Sequence, residues 1–315
     1  MNLREFTSNN TKLREEIADQ ASDLHPKVLG LIWDITRDII HISTKIPSMS
    51  SITKRTVTSA ISAIYDPLGW RIPLLHKIKI FLQDLWKNQY DWDVRLRDTK
   101  VEEWKGITAQ ISGFEKDLPC FLQEKKGEVI LVTFADASTN TMAACTYLHS
   151  NTSAQLLMAK SKLPSLQCHY TIPKLELNGL ALAMRLTNSV FSQLKPVINI
   201  KGVYVFSDSE IVLSWLKIKP EKEVGQFVSN RLIEIRNITN QMTEQGCFVR
   251  FGYVSSQDNP ADCATRGLNK DELVLHFWWT GPNFIYFSSR KWLNQGKFLR
   301  LMKTIKLIGM RMKTQ

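Results

Sequence analysis

A mixed five-stranded sheet with helices on both faces, preceded by a smaller and mostly helical segment, is the α/β architecture this sequence predicts. Three observations carry that expectation. After residue 127, three β-rich runs follow one another through short Ser/Thr/Asn turns, which is the pattern of an antiparallel meander. The later strand-like runs are separated by helical patterns instead, so those strands should run parallel. Residues 1–111 carry mainly helical spacing with turns.

Taken in order, residues 27–42 read as two short strands around a turn near Thr36. A helical run over 56–64 leads into Asp66-Pro67-Leu68-Gly69, a turn in which Pro fixes φ and Gly supplies the unusual backbone angle. Over 72–86, Leu74, Leu75, Ile78, Phe81, Leu82 and Leu85 recur at helical spacing. Residues 112–126 are polar and irregular and read as a linker. The first strand of the larger domain, 127–270, follows over 128–136, with two more over 142–149 and 154–162. A long helix over 173–194 starts at a proline, which is pre-organised for a first helical turn. A fourth strand (203–206), a helix (208–217), a helix marked by Val224, Phe227, Val228, Ile235 and Ile238, and a fifth strand (247–254) come next. Asn259-Pro260 then opens a last helix, Asn as cap and Pro in the first position.

Composition narrows the function classes. The chain has 315 residues, 43% hydrophobic and 23% charged, which excludes a disordered or collagen-like polymer. No apolar run approaches the ~20 residues that span a bilayer, and MNLREFTSNN has no signal-peptide core. A soluble intracellular protein of cytoplasm or nucleus, without a membrane partner, is expected. The formal charge is +11, and residues 271–315 form a basic tail with no acid from Leu273 onward and with Arg290, Lys291, Lys297, Arg300, Lys303, Lys306, Arg311 and Lys313. Such a balance favours a polyanionic partner. Five scattered cysteines without a C-x-x-C pair argue against a disulfide framework and a zinc site.

Four acids fall at element ends: Asp136 closes the first strand of the larger domain, Glu176 lies in the first turn of the long helix, Asp208 follows the fourth strand, and Asp262 lies in the first turn of the last helix. Alone, each has a plain role, because helix starts and turns favour acidic residues. Together they point elsewhere. In open sheets with helical crossovers, functional groups gather beyond the carboxyl ends of the strands. Carboxylates crowded there repel unless protons or cations lie between them. An all-oxygen set suits Mg²⁺ or Mn²⁺, and two such ions can activate water and stabilise the leaving oxygen of a phosphodiester. A basic protein with such a site is a nuclease candidate.

The Asp-Ala-Ser strand end, IPKLEL, YVFSDSEIVLSWL and NPADCATRG, in this order, resemble the ribonuclease H domain of Bel/Pao-type LTR retrotransposon polyproteins. KRTVTSAISAIYDPLGW and LQDLWKNQYDWD resemble the C-terminal end of the reverse transcriptase that precedes it, so residues 1–111 read as a thumb or connection remnant. The resemblance implies an RNase H-like fold and endonucleolytic cleavage of the RNA strand of RNA–DNA hybrids, with Asp136, Glu176, Asp208 and Asp262 as catalytic acids holding two Mg²⁺ ions (Mn²⁺ as substitute). Ser138 and Ser209, beside two of the acids, are expected substrate contacts. Two departures stand out. No pair of adjacent aspartates occurs, so a polymerase site is missing and a reverse transcriptase polymerase region would act in trans. Where relatives carry His-Val-Pro-Gly, this chain has Tyr253-Val254-Ser255-Ser256. A non-catalytic nucleic-acid-binding remnant is the alternative that these departures suggest.

Overall fold

The computed structural model describes residues 26–28, 30–120, 129–150, 153–218 and 224–287, with the single residues 12 and 292. Two compact units result: residues 1–126 with 266–276, and 127–265 with 277–315.

The first unit contains β1 (Lys27–Val28), β2 (Leu31–Asp34), β3 (Ile39–Thr44), α1 (Lys54–Ala63), α2 (Ile72–Lys87), α3 (Asp98–Ala109) and β4 (Phe114–Pro119). A short helix, α8 (Lys270–Leu275), joins it from late in the chain. Thr53 caps α1 reciprocally with Thr56: Thr53 Oγ1 accepts from Thr56 N at 3.2 Å, and Thr56 Oγ1 from Thr53 N at 2.9 Å. The turn before α2 forms as its residues dictate, with Gly69 N donating to Asp66 O at 3.2 Å and Gly69 at φ +72°. Val57, Leu74, Ile78, Phe81, Leu85 and Trp104 are buried on the facing sides of the helices.

Helices supply most of this unit's regular structure, as expected, yet its sheet is larger than the two strands read from sequence. The order is β1-β2-β3-β4, all antiparallel, with Ile39 opposite Pro119 and Thr44 opposite Phe114. Strand β4 lies inside the segment 112–126 that the sequence presents as an irregular linker. Its pattern is polar and its partner lies some seventy residues upstream, so backbone pairing makes the strand where side chains give little sign of it. Residues 121–126 lie outside the described residues.

The second unit holds β5 (Val129–Ala137), β6 (Met142–Ser150), β7 (Ser153–Lys162), α4 (Ile172–Leu194), β8 (Ile200–Ser207), α5 (Glu210–Leu216), α6 (Gln226–Glu244), β9 (Phe248–Tyr253) and most of α7 (Pro260–Arg266). The sheet order is β7-β6-β5-β8-β9. Pairs β5–β6 and β6–β7 are antiparallel, whereas β5–β8 and β8–β9 are parallel. This is the mixed five-stranded α/β sheet that the element order predicts, and the RNase H-like fold that the resemblance implies. Central β5 is buried on both sides, which is why it reads as the near-continuous apolar run VILVTFA.

On one face, Leu131, Val203, Val205, Val249 and Phe251 pack with Leu180, Ala183 and Met184 of α4, Leu216 of α5 and Ile235 of α6. On the other, Phe134, Tyr147, Tyr204 and Phe206 meet an aromatic segment, with Phe134 stacked on Phe206 at 5.3 Å and Phe284 edge-on to both. Trp292 packs edge-on against Tyr204, Phe206 and Phe284. Tyr147 donates to the Trp278 carbonyl at 2.7 Å. The tail read from sequence as 271–315 therefore begins with folded structure: 270–275 is α8, and 277–287 covers a face of the sheet. The basic residues from Arg290 to Lys313 lie outside the described residues.

Candidate active site

Strand register sets the first two acids. Phe134 lies opposite Phe206 and Ala135 opposite Ser207 in the parallel pair, so β5 and β8 run out side by side at Asp136 and Asp208. Asp136 is 9% exposed, and Asp208 is half-buried.

Glu176 arrives on α4, one turn before Gly179 on the same face. Gly179 lies against the end of β5: a Cβ there would stand 3.0 Å from the Asp136 carbonyl oxygen, so a hydrogen in its place lets the helix approach that closely. Asp262 arrives on α7. The cap Asn259, buried, accepts from Ala261 N at 3.1 Å and donates Nδ2–H to the Ala135 carbonyl at 3.1 Å. One side chain thus starts the helix and ties it to β5 one residue before Asp136.

The four acids share one electrostatic neighbourhood. Burial pushes the Asp136 carboxyl up to about 7, opposed by a hydrogen bond from Thr265 and reinforced by the negative charges of Asp208 and Asp262. Glu176 is raised too, by burial first and by the charge of Asp208, against a hydrogen bond from Ser209. With Asp136 and Glu176 both raised, the neighbourhood is short of positive charge, and the side-chain donors of the four acids are all oxygen; by electrostatics and donor chemistry the residues fit hard divalent cations.

Hydroxyl groups, unremarked in the sequence apart from Ser209, hold three of the acids. Thr265 donates to Asp136 Oδ2, Ser209 to Glu176 Oε2, and Ser256 to Asp208 Oδ2 at 2.6 Å. Each donor lies on or beside an element that carries another acid. Held this way, no three ligating side chains converge into a ready clasp for an ion among the described residues. The signal for Thr265 was its i+3 spacing from Asp262, which puts both on one helical face.

The two expected substrate contacts separate. Ser138 is half-buried in the turn after β5, where its Oγ accepts from Thr141 N at 3.1 Å and Asn140 N at 3.3 Å. Ser209 is buried and engaged on both sides: Oγ accepts from Val212 N at 3.3 Å, capping α5, while its proton goes to Glu176. The local structure engages that hydroxyl as a helix cap and as a donor to an acid.

Residues 53–209 match the family described as Pao retrotransposon-like RNaseH-like domain, a span that includes Asp136, Glu176 and Asp208 and stops before Asp262. Among solved structures, RNase H1 from the halophilic archaeon Halobacterium salinarum is similar at 13% identity, covering 43% of this chain and 91% of that one with a TM-score of 0.30. LC11-RNase H1 in complex with an RNA/DNA hybrid is similar at 17% identity, covering 46% and 93%, TM-score 0.29. The foamy viral protease-reverse transcriptase in complex with an RNA/DNA hybrid is similar at 14% identity, TM-score 0.41; the match covers 73% of this chain and 29% of that longer one. No curated protein matches the chain.

Proposed function

From the premise that this chain belongs, through residues 53–209, to the Pao retrotransposon-like RNaseH-like family, we propose that its second unit is an endonuclease cutting the RNA strand of RNA–DNA hybrids by a two-metal-ion mechanism, within a retrotransposon polyprotein. The observation that supports this reading is that Asp136 and Asp208 stand at the ends of the neighbouring strands β5 and β8, with Asp136 pushed up to about 7 by burial and by the charges of Asp208 and Asp262.

Asp136, Glu176, Asp208 and Asp262 would hold the ions, Mg²⁺ by preference with Mn²⁺ as substitute. When bound, such ions supply charge stabilisation for attack on a phosphodiester and for the departing oxygen. The chain's own contribution is position. Two neighbouring strand ends carry Asp136 and Asp208; Glu176 comes from the second turn of α4, one residue later than the first turn read from sequence, and Asp262 from the first turn of α7. Deprotonation of Asp136 near neutral pH makes the buried acid available as a ligand. Ser138, on the rim beside Asp136, is the proposed substrate contact, and selection of a hybrid would rest on 2′-hydroxyl contacts across its wide, shallow groove. A reverse transcriptase polymerase region is the proposed partner in trans.

The test is incubation of the purified chain with an end-labelled hybrid and Mg²⁺. Cleavage of the RNA strand that disappears in Asp136→Asn is expected; no cleavage, or cleavage that survives the substitution, overturns the reading. A second reading, a hybrid-binding domain without turnover, is favoured by the hydroxyl-held acids and by Tyr253 in the place of the family histidine. It would leave hybrid binding with a steep salt dependence and no cut product.

A further inference from the structure

Hydroxyls tie the acid-bearing elements together, and one of them reaches two acid-bearing elements at once. Resting on the reading of the acids as cation ligands, we propose that Thr265 is a positioning residue whose buried hydroxyl fixes Asp136 and Asp262 in a common register for divalent-cation binding.

Thr265 is 3% exposed. Its Oγ1 hydrogen-bonds Asp136 Oδ2 and lies 3.0 Å from the Asp262 carbonyl oxygen one turn earlier in α7. A bond from a helical threonine to a carbonyl three residues back is ordinary local chemistry. The bond to a carboxylate 129 residues away in sequence is not local, and it lies on the strand that opens the site. The hydroxyl has one proton, and an ionised Asp136 claims it, because a charged acceptor makes the stronger bond.

That bond occupies one lone pair of Oδ2. Together with a hydrogen bond from the Ala137 backbone it restrains rotation of the carboxylate. Asn259 ties the start of the same helix to the backbone of β5 through Ala135. With Thr265 the helix is attached to β5 through residues 259 and 265, once to the main chain and once to the acid itself. Asp262 lies between those attachment points in sequence, so its position over Asp136 follows from them. Hydrogen bonds to ligating carboxylates of this kind typically set metal affinity as much as the ligands do.

The experiment measures Mn²⁺ binding by electron paramagnetic resonance of the free ion, using the full chain, Thr265→Val, Thr265→Ser and Asp136→Asn, with a urea midpoint for each. Thr265→Val keeps the shape and removes the hydroxyl; about 10–100-fold weaker Mn²⁺ binding is expected. Thr265→Ser restores the hydroxyl and is expected to bind close to the unsubstituted chain, an outcome that a packing role for the threonine methyl would not give. Equal affinity in Thr265→Val and the unsubstituted chain overturns the proposal and leaves the ligand reading intact, provided Asp136→Asn abolishes binding. Equal losses in Val and Ser variants overturn it as well, since the hydroxyl would then not be the cause. If the unsubstituted chain binds no Mn²⁺ that Asp136→Asn removes, the ligand reading itself falls, and this proposal with it. A Val variant that does not fold is judged through the Ser variant, whose weakened binding at an unchanged urea midpoint would overturn the hydroxyl's role.

Discussion

At Asp136, two requirements pull against each other. As the last polar position of a buried strand it should be neutral; as the cation ligand we propose it must be charged. The fold leaves it protonated up to about 7, mainly through burial and then through the charges of Asp208 and Asp262. The consequence for stability has a definite sign. An unfolded chain gives up this proton near the ordinary value of 3.8, so between there and about 7 the folded state holds more protons. Stability of the cation-free protein therefore falls as pH rises across that window and levels off above it. Asp136→Asn removes the dependence. It is expected to stabilise the cation-free protein at pH 8 by on the order of 2–4 kcal/mol, the gain shrinking towards zero near the acid end of the window. Urea unfolding at three pH values with a chelator checks it; no difference at pH 8 would mean that Asp136 ionises as it would in water. The acids were legible from sequence because each sits at the end of a recognisable element. Their donors were not: Ser256, Ser209 and Thr265 look like turn, cap and mid-helix hydroxyls until the chain is folded.

Among the elements, those of the second unit were legible where packing agrees with local pattern. Central β5 announces itself by an unbroken apolar run, and α4 by a proline start and a helical stripe that the structure places at Ile172–Leu194. In contrast, β4 reads as FEKDLP, with Phe114 its one buried residue, and owes its existence to a distant partner. The approach of α4 to β5 has its own requirement at Gly179. A methyl group there would meet the main chain of Asp136 at 3.0 Å, and backbone at a strand end yields little. Gly179→Ala gains roughly 1 kcal/mol of helix propensity and loses about 1–3 kcal/mol to overpacking, so a net loss near 1 kcal/mol is expected. The helix must also back away, carrying Glu176 with it. A lower urea midpoint together with reduced Mg²⁺-dependent cleavage is the expected pair of results; a more stable variant with full activity would show that the contact is slack.

For the whole molecule, the sequence boundaries at 112, 127 and 271 give no sign that the chain re-enters each of its two units. Residues 266–276 belong with the first unit, where Lys116 Nζ donates to the Val274 carbonyl at 2.9 Å and Leu268 N to the Pro73 carbonyl at 3.0 Å. Residues 277–287 return to the second, where Phe284 and Trp278 are buried on the sheet. Discontinuity of this kind has no local signature. It does have a measurable effect: a chain stopped after residue 270 should bare Phe134 and Phe206, and is expected to bind a hydrophobic dye and aggregate where the full chain does not. Equal solubility and dye binding would refute it.

The same threading imposes an order of assembly during translation. The first unit has its sheet strands and three helices by residue 120, but the hydrogen bonds made by Leu268 and to Val274 wait until another hundred and fifty residues have left the ribosome. A ribosome stalled between the two units would hold a half-closed helical layer, whose natural ally in that interval is a chaperone.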